Sequence, residues 1–366
     1  MASSQSRQVE LGVFLPIAEG GFIFSENAPP TPATYSYNEQ TALLAEELGF
    51  DFVMSQIKWR GFGGPTRAWD SALESHTLMS MLGQRTKRIR LIASVNILSI
   101  HPAVFAKMVA TTCDAVGDRY GINIVTGSFP SEMAQFGLWG LDHDRRYDKA
   151  HEYMQVLTRL WSEDSVSFAG QHFTLEDAQA WPKPRPLPKI VCAGVSPKGL
   201  DFTTTWGDAA FISASGGEYS KVGDSSRQAR KLAADRRRAI RTYTTMMIIP
   251  GESVADAERR KEHILDGADQ VALRAMATEY GLRMKEDDQG GGSPRLRARA
   301  MMGPPVAGDA ESMAEQISAA VEAADVDGLM LEMPDYIQDQ RWFGENVMPL
   351  LAERGLLARP QVPSGM

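Results

Sequence analysis

The sequence predicts an α/β protein with the (β/α)8 TIM barrel fold, with insertions, formed by residues 1–366 as a single domain. Apolar runs of strand length alternate with segments of helical period, and the alternation can be followed eight times along the chain. Strands that are apolar throughout are typical of a parallel sheet covered on both faces by helices. The fingerprint G-x-G-x-x-G does not follow the first strand, which argues against an open dinucleotide-binding sheet. A length of 366 residues fits one barrel.

The eight strands and their helices can be assigned in order. The first strand, LGVFLP, leads to a helix whose apolar positions are Leu43, Leu44 and Leu48, and Pro102 suits the first turn of a later helix. The predicted strands are 11–16, 50–55, 89–94, 121–125, 189–193, 209–213, 243–249 and 328–332. The predicted helices are 38–48, 71–82, 101–116, 146–161, one that starts near 196, 219–239, 253–265 and 346–354.

Two segments interrupt this alternation. Residues 166–175 contain two short β-like runs around Gly170 and predict a hairpin. Residues 269–307, after the seventh strand, include the charged and glycine-rich run KEDDQGGGSPRLRAR. A loop of this length in a compact domain is usually a lid, a binding loop or disordered. We expect a mobile insertion here, with residues 286–299 above the barrel mouth, and a passive surface loop is the alternative.

The composition excludes several classes of protein. Lys and Arg number 38 against 46 Asp and Glu, a net charge of -8, whereas a protein that follows nucleic-acid phosphates needs a basic surface. No stretch reaches the ~18 apolar residues of a membrane span, and the N-terminus lacks the apolar core of a signal peptide. Cys113 and Cys192 lie in apolar patterns and are expected in the core. The sequence thus predicts a cytoplasmic protein that binds neither nucleic acid nor membrane.

Candidate site residues follow from the rule that barrels carry their chemistry at the carboxyl ends of the strands. These ends are rich in amides, hydroxyls, arginines and glycines, without a nucleophile elbow or a metal-ligand pair, so no metal is expected. That chemistry suits a planar polar cofactor with an anionic tail. The turn from Gly194 to Ser196 could hold a phosphate, with Arg146 and Tyr147 beside it. A simple helix cap at Ser196 is the alternative, and His143 is expected to be structural or exposed.

The ordered motifs of the chain resemble those of the bacterial luciferase-like flavin monooxygenases. They are Ile57-Lys58 with GFGG, NIVTG at 123–127, Glu132, DHDRRYD at 142–148 and CAGVS at 192–196. The pyrimidine (uracil) monooxygenase branch matches further, through GVFLPI, IK-x-RGFGG and the WDSALES run at 69–75. The resemblance spans residues 11–351, essentially the whole chain.

This resemblance implies a barrel that binds reduced FMN, supplied by a separate NAD(P)H:flavin reductase, and uses O2. It assigns FMN contacts to Ile57, Lys58, Asn123, Glu132, Arg146, Tyr147 and Ser196. In the pyrimidine branch a threonine and an asparagine shape the pocket where oxygen meets the flavin, and the corresponding residues here are Ser94 and Asn123. We expect Asn123, Ser94 and Lys58 to be catalytic, and the protein to form a homodimer or homotetramer.

The substrate implied by the resemblance is a nitrogen heterocycle, cleaved oxidatively at a C–N bond after attack by a flavin peroxide. The pyrimidine branch has a tryptophan where this sequence has Ser128, and the smaller side chain opens volume. A substrate larger than uracil, such as riboflavin, is therefore expected. Trp59 and Phe62 could supply a replacement stacking face or could simply pack beneath the loop. Lys58 and Arg60 could polarise a substrate carbonyl.

Three other functions stay open at this point. A monooxygenase for alkanesulfonates or sulfones would need free cations for the sulfonate, and most mouth cations here belong to flavin motifs. A deazaflavin-dependent hydride-transfer enzyme on the same barrel would not consume oxygen. A non-catalytic flavin-binding or light-emitting partner subunit would be expected to lose flavin contacts, whereas this chain keeps them all.

Overall fold

The barrel closes through parallel strands only. The computed structural model describes residues 8–127, 129–214, 217–282 and 293–358. The strands in these ranges are β1 (Glu10–Leu15), β2 (Phe52–Ser55), β3 (Arg90–Asn96), β4 (Tyr120–Val125), β5 (Val166–Ala169), β6 (Thr174–Ala178), β7 (Lys189–Ala193), β8 (Ala209–Phe211), β9 (Arg241–Pro250), β10 (Pro305–Gly308) and β11 (Gly328–Glu332). Eight of them follow one another around the barrel in the order β1, β2, β3, β4, β7, β8, β9, β11, and β11 pairs with β1.

A ring of helices covers the outside of the barrel, as predicted. Side-chain caps set the helix starts, as where Asp142 accepts the N–H of Arg145 and Ser196 accepts that of Gly199. The helices are α1 (Tyr35–Leu48), α2 (Ser75–Arg85), α3 (Pro102–Val116), α4 (Pro130–Ala134), α5 (His143–Ser162), α6 (Pro197–Trp206), α7 (Tyr219–Asp235), α8 (Val254–Asp266), α9 (Gln270–Glu279), α10 (Pro294–Arg297), α11 (Ala310–Ala324), α12 (Gln338–Asn346) and α13 (Met348–Glu353). None of the helices in the described ranges has both the length and the apolar character that a membrane crossing needs.

The lumen of the barrel is a packed apolar core. Alternate residues of a strand point to opposite faces, so the lumen face can be followed along each strand. The lumen cluster consists of Phe14, Phe52, Met54, Ile92, Val191, Ala209, Phe211, Tyr243 and Met330. At the amino ends of the strands Glu10 accepts a hydrogen bond from the Tyr243 hydroxyl at 2.6 Å and pairs with Arg90 at 2.9 Å. Any substrate must therefore enter at the opposite end, the mouth, where the strands end.

The structure adds elements that the sequence analysis did not assign. The 166–175 hairpin is confirmed as β5 and β6, which pair antiparallel. The 269–307 segment contains α9, α10 and β10, which extends the sheet beside β9. Asp269 caps α9 by accepting the N–H groups of Val271 and Ala272. Residues 283–292 lie outside the described residues, so the mobility of the insertion stays a prediction.

Two helix assignments need correction. The helix α11 was not assigned, although its buried residues Met313, Ile317 and Val321 recur every four positions. The last predicted helix, 346–354, corresponds to α13, but a further helix, α12, precedes it from Gln338, where Asp335 accepts the N–H groups of Ile337 and Gln338. Cys113 and Cys192 are free and buried, as expected for core residues.

Candidate functional site

Lys58 is a buried cation at the end of β2. Its ammonium nitrogen lies 3.7 Å from the ring centre of Phe129, 4.4 Å from that of Phe62 and 5.3 Å from that of Trp69. One carboxylate oxygen of Glu132 is 3.6 Å away. Burial lowers the pKa of Lys58 to about 8, while the Glu132 carboxylate opposes that shift. The Lys58 ammonium is therefore surrounded by protein side chains. It links the loop after β2 to Glu132 in the loop region after β4.

Glu132 links the segments that follow β2 and β4. It lies in α4, is 3% exposed, and its Oε1 accepts the backbone N–H of Trp59 at 2.5 Å as well as facing Lys58. Gln135, which directly follows this short helix, donates its side-chain amide to the carbonyl of Trp59 at 3.1 Å. The two loops thus form one unit at the mouth.

Ser94 and Asn123 lie side by side on neighbouring strands. They are paired in register on β3 and β4, and both are buried. Asn123 Nδ2 donates to Ser94 Oγ at 2.9 Å, and Ser94 Oγ donates to the carbonyl of Ser55 at 2.6 Å. The backbone N–H of Ser94 donates to Ser75 Oγ at 2.7 Å. Asn123 Oδ1 is buried with no hydrogen-bond partner among the described residues, so this oxygen can accept a hydrogen bond from a ligand.

Tyr147, Ser196 and His143 meet where β7 leads into α6. Gly194 has a φ of 146°, and a Cβ there would lie 2.6 Å from the Tyr147 hydroxyl, so only glycine allows this close approach. His143 Nε2 lies 3.3 Å from Ser196 Oγ, and its ring centre lies 5.1 Å from that of Tyr147. His143 is exposed, as expected, and borders this cluster. Ser196 Oγ also accepts the backbone N–H of Gly199 at 3.1 Å, so Ser196 is a helix cap, the alternative that the sequence analysis left open.

Arg146 belongs to the same end of the site. Its guanidinium lies 4.6 Å from the ring centre of Trp139, and Nη1 donates to the carbonyl of Leu141 at 3.0 Å. Its Nε is buried without a hydrogen-bond partner among the described residues. Arg146 is thus held in place by neutral groups, and no carboxylate competes for its charge within hydrogen-bond reach in the described part of the chain.

The predicted substrate residues are less closely grouped. Phe62 is 8% exposed and packs against Phe24, Trp69 and Phe129, which favours the packing interpretation. Trp59 is half-buried, with its ring edge against Phe136, and its Nε1 has no partner in the described ranges. Ile57 is half-buried and Arg60 exposed. Ser128 lies outside the described residues.

Glu332 is a mouth residue that the sequence analysis did not single out. It is the last residue of β11, and its side chain is 2% exposed. Burial raises the pKa of Glu332 to about 8. An acidic residue at the end of the apolar strand GLMLE is the signal that could have identified it, because the carboxyl ends of barrel strands carry function.

The residues at the mouth fit a flavin. Buried polar atoms without partners among the described residues include an acceptor, Asn123 Oδ1, and three donors, Gln56 Nε2, Trp59 Nε1 and Arg146 Nε. A planar ring system with donors and acceptors on its edges, and an anionic tail, would satisfy such atoms. No group of three or more potential metal ligands occurs in the part of the chain that the structure describes.

The chain is similar to known enzymes over nearly its full length. The family model described as "Luciferase-like monooxygenase" matches residues 9–327. "Pyrimidine monooxygenase RutA" of Pseudomonas syringae pv. syringae is 36% identical, with 96% of this chain and 99% of that protein covered. A solved riboflavin lyase (RcaE) superposes with a TM-score of 0.82 at 22% identity, covering 96% of this chain and 93% of that one. A solved long-chain alkane monooxygenase (LadA) gives a TM-score of 0.83 at 20% identity over 98% and 94%. The chain belongs to the luciferase-like monooxygenase family and is a flavin-dependent monooxygenase.

Proposed function

We propose that this protein uses reduced FMN and O2 to cleave a C–N bond of a nitrogen heterocycle oxidatively. The observation that carries the proposal is the buried pair of Ser94 and Asn123, with Asn123 Oδ1 left without a partner among the described residues. The name of the Pseudomonas relative, a pyrimidine monooxygenase, supports a heterocyclic substrate. An NAD(P)H:flavin reductase would supply the reduced cofactor, and a homodimer or homotetramer is the expected assembly.

The phosphate of FMN would be held where Arg146, Tyr147 and Ser196 meet the start of α6. Charge-assisted hydrogen bonds from a guanidinium, together with the hydroxyls of Tyr147 and Ser196, suit a phosphate. Ile57 and Lys58 from the segment after β2, and Glu132 from α4, would support the ring system, since the Lys58–Glu132 contact ties the two together.

Asn123 would act on the ring side of the site. Because its amide nitrogen donates to Ser94, its oxygen is the atom offered to a ligand, and it would hold an N–H or O–H in place. When bound, reduced FMN supplies the electrons that activate O2. The buried walls around Ser94 and Asn123 would exclude water from that chemistry.

The size of the substrate is proposed from Ser128. A serine in place of the bulky residue of the pyrimidine branch favours a larger heterocycle than uracil. The solved riboflavin lyase is described with riboflavin as its substrate, which supports testing a substrate of that size. Trp59, whose Nε1 has no partner in the described ranges, would face it more readily than Phe62, and Arg60 is exposed at the same loop.

The sulfonate alternative finds less support. A sulfonate would need cations that can turn towards it, whereas Lys58 is enclosed by aromatic rings and faces Glu132. Arg146 is the better candidate cation, and it lies at the end of the site proposed for the FMN phosphate. A deazaflavin-dependent hydride transfer would leave the oxygen pocket without a role.

A turnover screen tests the proposal. The enzyme is given chemically reduced FMN and ¹⁸O2 with uracil, riboflavin, other nitrogen heterocycles, an alkanesulfonate and a sulfone, and products are identified by mass spectrometry. We expect ¹⁸O in a ring-opened or cleaved heterocycle, with bulky substrates turned over better than uracil. Label only in sulfur-containing substrates, or reduced-cofactor oxidation without any heterocyclic product, would overturn it. Uracil matching every bulkier heterocycle would overturn the interpretation of Ser128.

A further inference from the structure

The side chain of Glu332 points into the mouth of the barrel. It is two residues beyond Met330, which packs in the lumen cluster, and alternate residues of a strand share a face. In register, Glu332 lies opposite Met247 of β9. Its strand is therefore on the wall across the barrel from β3 and β4, which carry Ser94 and Asn123.

The Glu332 carboxyl is buried and has few hydrogen-bond partners among the described residues. Its Oε2 accepts the backbone N–H of Gly303 at 2.8 Å. A Cβ at Gly303 would lie 2.7 Å from the same oxygen, so the glycine allows the chain to approach the carboxyl closely. Among the described residues no lysine, arginine or histidine pairs with Glu332. An isolated buried carboxylate is costly, and such a group holds its proton instead.

Tyr219 supplies a phenol hydroxyl near the Glu332 carboxyl. It is the first residue of α7, which follows β8, and its Oη is buried without a hydrogen-bond partner among the described residues. Burial and, secondly, the nearby Glu332 carboxyl raise the pKa of the Tyr219 phenol. Tyr336, in the segment after β11, is the other described titratable residue whose pKa is raised by burial and by Glu332. All three groups therefore favour their neutral forms near pH 7.

A neutral carboxyl and a phenol are both hydrogen-bond donors. Two such donors near each other at the mouth can hold a carbonyl oxygen, and they stabilise it further as it gains negative charge. A protonated carboxyl also keeps an acceptor oxygen, which can pair with an N–H beside that carbonyl. This donor and acceptor pattern complements the –NH–C(=O)– edge of a cyclic amide.

We propose that Glu332 and Tyr219 form the substrate subsite that recognises the cyclic-amide edge of a nitrogen heterocycle, across the mouth from Ser94 and Asn123. The inference rests on the proposed function and makes its substrate class narrower. The selected heterocycles are those with a ring carbonyl next to a ring N–H. A heterocycle without ring carbonyls, or an anionic sulfonate, lacks that edge.

Ligand binding without turnover tests the subsite. Affinities of uracil and of the bicyclic lumazine are measured by calorimetry on the complex with oxidised FMN, between pH 6 and pH 9.5. Pyrimidine and pteridine, the matching rings without carbonyls, are the control ligands. The proteins compared are the wild type, Glu332→Gln, Glu332→Leu and Tyr219→Phe.

We expect the wild type to lose roughly tenfold in affinity for the cyclic amides as the pH rises through the ionisation of Glu332, the size of one buried hydrogen bond. Glu332→Gln keeps a hydrogen-bond donor at every pH. The dependence of its ligand affinity on pH should therefore reflect only the titration of Lys58 and of the ligand. Glu332→Leu should bind weakly throughout, and Tyr219→Phe should weaken binding by a similar factor without removing the pH dependence. The control ligands should bind alike to all four proteins.

The outcomes separate this inference from the proposed function. Equal affinities and equal pH profiles in wild type, Glu332→Gln and Glu332→Leu overturn the subsite, even if heterocycles are turned over in the screen. Failure of the wild type to bind either cyclic amide at any pH also overturns it. Binding with the expected profile, but without any turnover, would support the subsite and overturn the oxidative cleavage.

Discussion

At the scale of single residues, the candidate site depends on which polar atoms are satisfied by the protein. Asn123 donates through its amide nitrogen to Ser94, and this leaves its oxygen for a ligand. Arg146 is held by a carbonyl and an aromatic ring, and this leaves its Nε for a ligand. The role of each of these polar atoms can be tested by a substitution of its own.

The first prediction concerns Arg146. Replacing it with alanine removes a charge-assisted hydrogen bond to the FMN phosphate, so FMN affinity should fall roughly 10- to 150-fold. Arg145→Ala is the matched control, because Arg145 is exposed and only faces Asp142 at 3.8 Å. Both affinities can be measured by fluorescence quenching of FMN. Equal affinities for the two variants would show that Arg146 does not bind the phosphate.

The second prediction concerns Ser94 as a positioning residue for Asn123. Ser94→Ala removes the acceptor of the Asn123 amide, so the amide can rotate and kcat/KM should fall roughly tenfold. The fraction of oxidised FMN that yields product should fall with it, whereas FMN affinity should not. Ser94→Thr keeps the hydroxyl and should restore both quantities. If alanine and threonine behave alike, the hydroxyl does not orient Asn123.

At the scale of elements, contacts between loops and strand ends build the mouth. The Lys58–Glu132 contact ties the segment after β2 to α4, and both groups are buried. Removing one partner of a buried ion pair leaves an uncompensated charge. The element that loses most should be α4, which has only five residues and no side-chain cap.

The third prediction is a double-mutant cycle on this pair. Glu132→Ala should lower the free energy of unfolding by about 3–5 kcal/mol. Lys58→Met removes the charge but keeps the apolar contact with the three rings, so the double variant should lose clearly less than the sum of the two single changes. Urea unfolding gives the three values. Additivity within about 0.5 kcal/mol would mean that the two groups do not stabilise each other.

The fourth prediction concerns Glu332 and the end of β11. Since burial raises its pKa to about 8 from the ordinary 4.5, the folded protein keeps a proton that the unfolded chain releases between these two pH values. Its contribution to stability is fully present below the lower value, falls by about 1.4 kcal/mol per pH unit between the two values, and is lost once the pH has risen through the upper one. Glu332→Gln has no such loss.

Thermal unfolding of the two proteins checks this. They should melt at similar temperatures at pH 4.5, and Glu332→Gln should be the more stable at pH 8.5 by several degrees, since ~1 kcal/mol shifts the melting temperature of a large domain by a few degrees. Lys58 titrates in both proteins and cancels in the difference. A difference in melting temperature that is the same at both pH values would contradict the raised pKa.

At the scale of the whole molecule, the barrel separates the roles of its two ends. The amino ends of the strands are closed by Glu10 with Arg90 and Tyr243, and the carboxyl ends carry every candidate site residue that the structure describes. The 269–307 insertion returns to the barrel through β10.

The fifth prediction addresses that insertion. The glycine run at 290–292 in the sequence favours hinge freedom, so limited proteolysis should cut within 286–299 in the free protein. Substrate with FMN should slow this cleavage, because a closed lid is less accessible. The cut site can be located by mass spectrometry, and cleavage elsewhere in the chain is the internal control. Equal cutting in both states would make the segment a passive loop.

Much of the fold could be predicted from the sequence because its signals are local. The strands Lys189–Ala193 and Gly328–Glu332 have the bounds that their apolar runs predict to the residue. Caps such as Ser196 mark a helix start by short-range chemistry. The motifs around Asn123 and Arg146 likewise identified the flavin family, which the matching family model and relatives confirm.

Tertiary contacts decided the rest. The sequence determined which residues line the ends of the strands, because period and motif are carried by neighbours in the chain. It did not determine that Lys58 is enclosed by three rings, or that, among the described residues, Asn123 Oδ1 has no hydrogen-bond partner and Glu332 is buried without a cation. Those properties depend on hydrogen bonding and desolvation by residues far apart in the sequence, such as Gly303 and Glu332, and they exist only once the barrel has closed.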